Sequence, residues 1–258
     1  MKTHLKILLL SLFVSVALSS CMYDVYEAGN GIVTEEVRSV PEFTQILSSG
    51  SFHVYYEYSD TTEVTLSGES NLLNYVETEV YNNELHIRIQ DHVNIRPQKT
   101  IEVYVKGPYV DKIQLSGSGL IHTDEINGDE LTLKVSGSGN IETTFYGGDL
   151  YTKISGSGEI DAYVEADYFE SLISGSGRIN VEGESNQSFY KISGSGKVKA
   201  YDFLVNEADI TISGSGSAYL NVNEKLLAAI SGSGNIHYIG QPQISTTYSG
   251  SGRVISEN

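Results

Sequence analysis

The sequence predicts an all-β fold, a single-stranded parallel β-helix of 18–20 residues per coil, and three observations carry that expectation. Ser-Gly-Ser-Gly occurs eight times, beginning at Ser116, Ser136, Ser155, Ser174, Ser193, Ser213, Ser231 and Ser249, at spacings of 20, 19, 19, 19, 20, 18 and 18. A fixed period of this size is the mark of a solenoid, in which each repeat is a coil stacked on the last. The residue before each copy is Leu115, Val135, Ile154, Ile173, Ile192, Ile212, Ile230 or Tyr248, and the second residue after it is Ile121, Ile141, Ile160, Ile179, Val198, Ala218, Ile236 or Val254. Finally, counting in twos from Val135 reaches Gly137, Gly139 and Ile141, with Ser136, Ser138 and Asn140 on the other face, which is the period of a strand.

Stacked coils therefore build two aliphatic ladders inside the solenoid, flanking a double column of glycines. Burying each such side chain contributes roughly 1.5–3 kcal/mol. Glycine weakens a strand, so its repeated use implies a geometric need: a sharp bend, or a close approach of one wall to another. The serines then point outward, where their hydroxyls bond to one another along the stack or to water. A right-handed coil is the preferred hand, following the rule for parallel crossovers. A left-handed hexapeptide solenoid would want aliphatic residues six places after Ile141, Ile160 and Ile179, where Gly147, Ala166 and Ser185 stand.

Taken from the N-terminus, residues 1–20 read as an export signal. Lys2 and Lys6 precede an apolar run from Ile7 to Leu18 that is too short to span a bilayer. Leu18-Ser19-Ser20-Cys21 follows and resembles a bacterial lipobox, with Cys21 the only cysteine in the chain. That resemblance implies cleavage before Cys21 and its lipidation, which would tether an exported protein to a membrane without spanning it. Residues 21–32, with Gly29, Asn30 and Gly31, read as a tether. Residues 33–110 are β-rich without the clean repeat, in Phe52–Tyr58, Glu63–Leu66, Leu85–Ile89 and Ile101–Val105. They are either opening coils or a capping sheet; Ser49-Gly50-Ser51 and Ser67-Gly68-Glu69-Ser70 look like degenerate copies of the repeat. Asn71–Val76 is the one short helix candidate. Residues 111–258 form the repeat solenoid, with turn-rich corners at Asp124–Glu130, Tyr146–Asp149 and Val181–Asn186.

Composition limits the partners. Removing residues 1–20 takes away Lys2 and Lys6 and moves the net charge from −17 to −19. Such a chain repels nucleic acid and anionic headgroups. The serine motif is no catalytic device. A nucleophile elbow needs Gly-x-Ser-x-Gly between strand and helix, and a phosphate loop needs a following helix with Lys. The histidines, His4, His53, His86, His92, His122 and His237, never fall in a ligand-like spacing, so zinc is not expected and no cofactor is implied. The acidic corner Asp124, Glu125, Asn127, Asp129 and Glu130 carries oxygen ligands that suit calcium, but in no EF-hand order, and reads as a solvated turn.

The spaced repeats, several continuing as Gly139-Asn140-Ile141 or Gly234-Asn235-Ile236, resemble the head GIN domain family, adhesin-like lipoproteins found mostly in Bacteroidetes. Phe43-Thr-Gln-Ile46 and Ser51-Phe-His-Val54 are similar to that family's opening, and the resemblance covers roughly residues 38–256. It implies a parallel β-helix, export, an outer-membrane lipid anchor and adhesion, and it offers no catalytic residues. Gly119-Leu120 and Gly216-Ser217 depart from the Gly-Asn ending, so Asn is not required there.

Three functions follow. The first is an adhesin presenting a rigid face to glycan or protein, with corner tyrosines such as Tyr146 and Tyr168 in contact. The second is a polysaccharide-acting enzyme using Glu159, Asp161 and Arg178, one coil apart, although such charges equally compensate one another between strands. The third is a structural envelope protein assembling through the coil end at Ser249–Asn258. The sequence favours the first, and leaves ligand and oligomeric state open.

Overall fold

The computed structural model describes residues 25–258, so residues 1–20, expected to be an export signal, and Cys21 lie outside the described residues. The strands in chain order are β1 (Val25–Ala28), β2 (Val33–Arg38), β3 (Gln45–Gly50), β4 (His53–Tyr58), β5 (Glu63–Glu69), β6 (Val76–Tyr81), β7 (Glu84–Ile89), β8 (Val93–Arg96), β9 (Glu102–Gly107) and β10 (Lys112–Gly117). Near-complete coils follow: β11 (Leu120–Gly137), β12 (Asn140–Gly156), β13 (Glu159–Gly175), β14 (Arg178–Gly194), β15 (Lys197–Gly214) and β16 (Ser217–Gly232). The chain closes with β17 (Asn235–Ile239), β18 (Gln243–Gly250) and β19 (Arg253–Ser256).

From β10 onward each coil pairs in parallel with the next, and the repeats lie in register: Gly117 on Gly137, Gly137 on Gly156, Gly156 on Gly175. Between β10 and β17 the chain breaks from strand only at the second Ser and Gly of each motif, so the motif is a corner between two walls. The first glycine has φ between 117° and 134° at every copy, a region that side chains rarely enter. The second has ordinary φ but is crowded: a Cβ on Gly139 would fall 2.5 Å from Leu115 Cδ2. One column of glycine therefore makes the bend and the other admits the aliphatic ladder of the preceding coil. Ile121, Ile141, Ile160, Ile179, Val198, Ala218 and Ile236 are all fully buried. The serines face solvent, and Ser233 with Ser251 is the one Oγ to Oγ contact along the motif columns among the described residues, at 3.2 Å. No continuous hydroxyl ladder runs along the stack among the described residues.

Residues 33–110 combine both expectations. β3 and β4 form a coil whose corner, Ser49-Gly50-Ser51, stacks beneath Ser116-Gly117. Beneath it, β7 and β9 make a partial coil that comes later in sequence. Antiparallel strands then end the stack, β6 on β7 along one wall and β5 on β9, followed by β2, along the other. Ser67-Gly68 is not a coil corner, because it lies within β5 and pairs antiparallel with β2. The helix candidate Asn71–Val76 is only a 3-10 turn, Leu73–Tyr75, and buried Leu72, Leu73 and Val76 plug the core beneath the cap.

The tether is shorter than residues 21–32. β1 pairs with β8, and the chain after it is held by Glu69, whose Oε1 accepts from Gly31 N at 2.7 Å and Oε2 from Gln98 N at 2.7 Å. Asn71 Nδ2 donates to Glu27 Oε1 at 2.7 Å and to the Ala28 carbonyl at 2.8 Å. These bonds order a segment whose Gly-Asn-Gly composition alone reads as loose.

Candidate ligand-binding cleft

In complete coils the chain runs around a third side beyond the second wall; Glu125–Glu130 of β11 stacks there on Thr144–Asp149 of β12. A bulge between His122 and Glu125 turns the strand onto that side. Toward the cap the third side has no strand. β4 pairs with β11 only over Leu120–Thr123, and β10 pairs with it only from Thr132. The coil beneath leaves at Tyr58 to form β5, so the backbone of Glu125–Glu130 meets a strand on one side alone.

Below that edge lies a cleft of about 720 Å³. Its floor is Tyr56, Tyr58, Tyr109 and Ile126, and its rim is Glu125, Asn127, Asp129 and Glu130. Tyr56 is buried, and its hydroxyl donates to the Pro108 carbonyl at 2.5 Å. Burial, then the neighbouring Tyr58 and Tyr109, push its phenol far above the ordinary range. The Tyr109 hydroxyl donates to the Glu130 carbonyl, an edge group otherwise without a strand to bond. Burial raises the Tyr109 phenol, the Glu130 bond opposes this, and the charges of Asp111, Asp129 and Glu130 add to the rise. A Cβ on Gly128 would fall 2.2 Å from the Tyr109 ring, so glycine there lets that ring lie against the edge. Tyr58 stays 59% exposed, and its hydroxyl donates to Asp60 Oδ1 at 3.2 Å. The arrangement offers aromatic faces, carboxylates and free main-chain hydrogen-bonding groups in one recess.

The acidic corner foreseen as a turn is thus the rim of the cleft. Among the described residues no three His, Asp or Glu side chains converge as a metal site. Asn127 Nδ2 donates to Glu125 Oε1 at 2.8 Å, which orients that carboxylate along the rim. Tyr146 packs on Tyr163 with ring centroids 5.9 Å apart, and Tyr168 on Tyr151 at 6.0 Å. These corner tyrosines pair between coils and do not line the cleft, although Tyr146 stands one coil above its rim at Asn127. The density of tyrosine in Phe52–Tyr58 is the sequence's one sign of Tyr56, Tyr58 and Tyr109 as a site, because their convergence depends on where β4 ends.

Glu159, Asp161 and Arg178 do come together. Arg178 Nη1 lies 3.2 Å from Glu159 Oε1, and Asn180 Nδ2 donates to Glu159 Oε1 at 2.7 Å and to Asp161 Oδ1 at 2.5 Å. Each carboxylate is answered by a neighbour on the next coil, which is cross-strand compensation. Next to them, Lys197 Nζ sits 5.8 Å from the Tyr219 ring centroid, in a shallower groove of about 550 Å³. His122 and His237 each contact one carboxylate, Glu142 at 3.2 Å and Glu257 at 2.7 Å.

The profile of the head GIN domain, described as "Putative auto-transporter adhesin", matches residues 42–150 and 141–242. The chain belongs to the head GIN domain family. Solved structures agree with that membership. A protein of Parabacteroides distasonis described as a "putative adhesin" is 27% identical, with a TM-score of 0.86 over 90% of this chain and 99% of its own. A "putative adhesin" of Parabacteroides merdae is 25% identical, with a TM-score of 0.87 over 91% of this chain and all of its own (100%). A second P. distasonis protein, described as a "Putative lipid binding protein", is 28% identical, with a TM-score of 0.85 over 90% and 100%. No curated protein matches. Membership in an adhesin-like family points to an extracellular or cell-envelope protein, and no helix among the described residues is long and apolar enough to cross a membrane.

Proposed function

We propose that this head GIN domain protein is a lipid-anchored, non-enzymatic adhesin of the outer membrane whose ligand contact is the tyrosine cleft. Cys21 carries the lipid, and the ordered strap of β1 onto β8 holds the capped end of the solenoid near the membrane. The ligand is a glycan or a protein; the acidic surface disfavours nucleic acid. One observation carries the reading. The repeated corners are spent on architecture, whereas the cleft gathers three tyrosines where the coil pattern is interrupted next to the cap. Aromatic faces beside fixed polar groups are how binding sites combine area with orientation. The pairing of Glu159 with Arg178, and the Asn180 amide that Glu159 and Asp161 share, weigh against the enzymatic reading.

The test is an array of glycans and envelope or host-surface proteins probed with wild type, Tyr58→Ala and the Tyr146→Ala, Tyr168→Ala pair. Saturable binding lost in Tyr58→Ala and kept in the pair is expected. Binding that ignores Tyr58, or no binding above background, refutes the reading.

A further inference from the structure

Resting on the adhesive reading of the cleft, we infer that its ligand is an extended basic segment of a partner protein, added as a strand along Glu125–Glu130. Three features of the slot select that occupant. The first is the edge. An exposed strand edge presents unpaired N–H and C=O groups and templates pairing with another chain, unless Lys, Pro or a bulge blunts it. Glu125–Glu130 contains no Lys and no Pro, and the bulge precedes it, between His122 and Glu125. The Tyr109 hydroxyl bonded to the Glu130 carbonyl shows that this edge group faces into the cleft, where an added strand would have to displace the Tyr109 hydroxyl to reach it.

The second is length. The gap is bounded by the end of pairing with β4 at Thr123 and the start of pairing with β10 at Thr132. Residues 124–131 lie between them, and since an added strand rises by the same distance, about 3.3 Å per residue, the gap admits roughly eight extended residues. The third is charge. Asp124, Glu125, Asp129 and Glu130 make no ion pair with Lys, Arg or His among the described residues, and the chain carries a net −17 that draws cations toward it. An added strand sends alternate side chains to opposite faces. One set of cations therefore meets the carboxylates, and those lying over Tyr58 and Tyr109 gain cation–π attraction.

The experiment uses the chain from residue 22, which keeps every described element. A labelled probe of about eight residues alternating Lys and Val, its Glu-for-Lys counterpart, and the Lys probe with N-methylated backbone are titrated at constant salt. The Lys probe is expected to bind at least about tenfold tighter than either control, as strand addition with complementary charge requires. The Asp129→Lys, Glu130→Lys double variant, altered only at exposed side chains, is expected to reverse the preference toward the Glu probe. Equal binding of the N-methylated probe, or a preference unmoved by the charge reversal, overturns the inference. So does Tyr58-dependent binding of glycans with no peptide bound, although the adhesive reading then stands. If Tyr58→Ala changes the binding of no ligand at all, the adhesive reading of the cleft falls as well.

Discussion

Replacing Gly156 by Ala isolates what the first glycine of the motif does. Its φ is 127°, and a Cβ there would lie 2.5 Å from the Gly137 carbonyl oxygen of the preceding coil. The left-handed conformation costs a side chain about 1–2 kcal/mol, and forcing atoms into a packed site costs about 1–3 kcal/mol more. A loss of about 3 kcal/mol follows, which at this chain length lowers Tm by roughly 6–12 °C. Gly31→Ala is the control, since φ is 76° and nothing lies within 4 Å of the added Cβ, leaving only the conformational cost of about 1–2 kcal/mol. Ser157→Ala, at an exposed corner, should change stability by less than about 0.5 kcal/mol. Thermal and urea melts followed by circular dichroism measure all three. If Gly156→Ala costs no more than Gly31→Ala, the carbonyl contact is not what fixes glycine in the corner, and the reasoning fails.

Three further outcomes follow. Tyr190 is fully buried, and its hydroxyl has only the Ser188 side chain near it and forms no hydrogen bond of good geometry, so Tyr190→Phe should raise stability by about 1 kcal/mol in the same melts; a loss would show that the Ser188 contact satisfies the hydroxyl. Burial alone would raise the Glu69 carboxyl, but backbone N–H groups of Gln98, Gly31 and Lys99 outweigh it and hold the group below the usual range. A depressed native pKa contributes stability above the unfolded value, near 4.3, that is lost as pH falls through the native one. Acid should therefore release β1 and the Gly29–Ile32 strap to proteolysis before the solenoid melts, and in Glu69→Gln this pH dependence should vanish. Cys21→Ser should move the protein from the membrane fraction to the soluble fraction of lysed cells; unchanged fractionation would refute lipid anchoring.

The solenoid was legible because its determinants are local and repeated. A glycine pair between two aliphatic columns can satisfy only a bend and a ladder, and each copy restates the same geometry. The cap was less legible. β7 and β9 follow β3 and β4 in sequence yet lie beneath them, and no local pattern announces that reversal. Ser67-Gly68 imitates the repeat, but its antiparallel partners β2 and β9 decide its role. The strap looked loose because Glu69, buried far along the chain, supplies the bonds that order it. The cleft was the hardest to foresee. Its acidic rim was visible at Asp124–Glu130, but its floor exists only because β4 stops at Tyr58 while later coils continue.

The central claim is that the repeats are scaffold and recognition belongs to the interrupted third side. Hydrogen exchange of the protein with and without a bound ligand tests it most directly. Amides of the Ser-Gly-Ser-Gly corners are already bonded to the preceding coil, as Ser138 and Gly139 are to the Gly117 carbonyl at 2.9 Å, and should not change. New protection is predicted at Glu125–Glu130 and around Tyr56–Tyr58. Protection arising instead along the serine corners, or over Glu159, Asp161 and Arg178, would contradict the account.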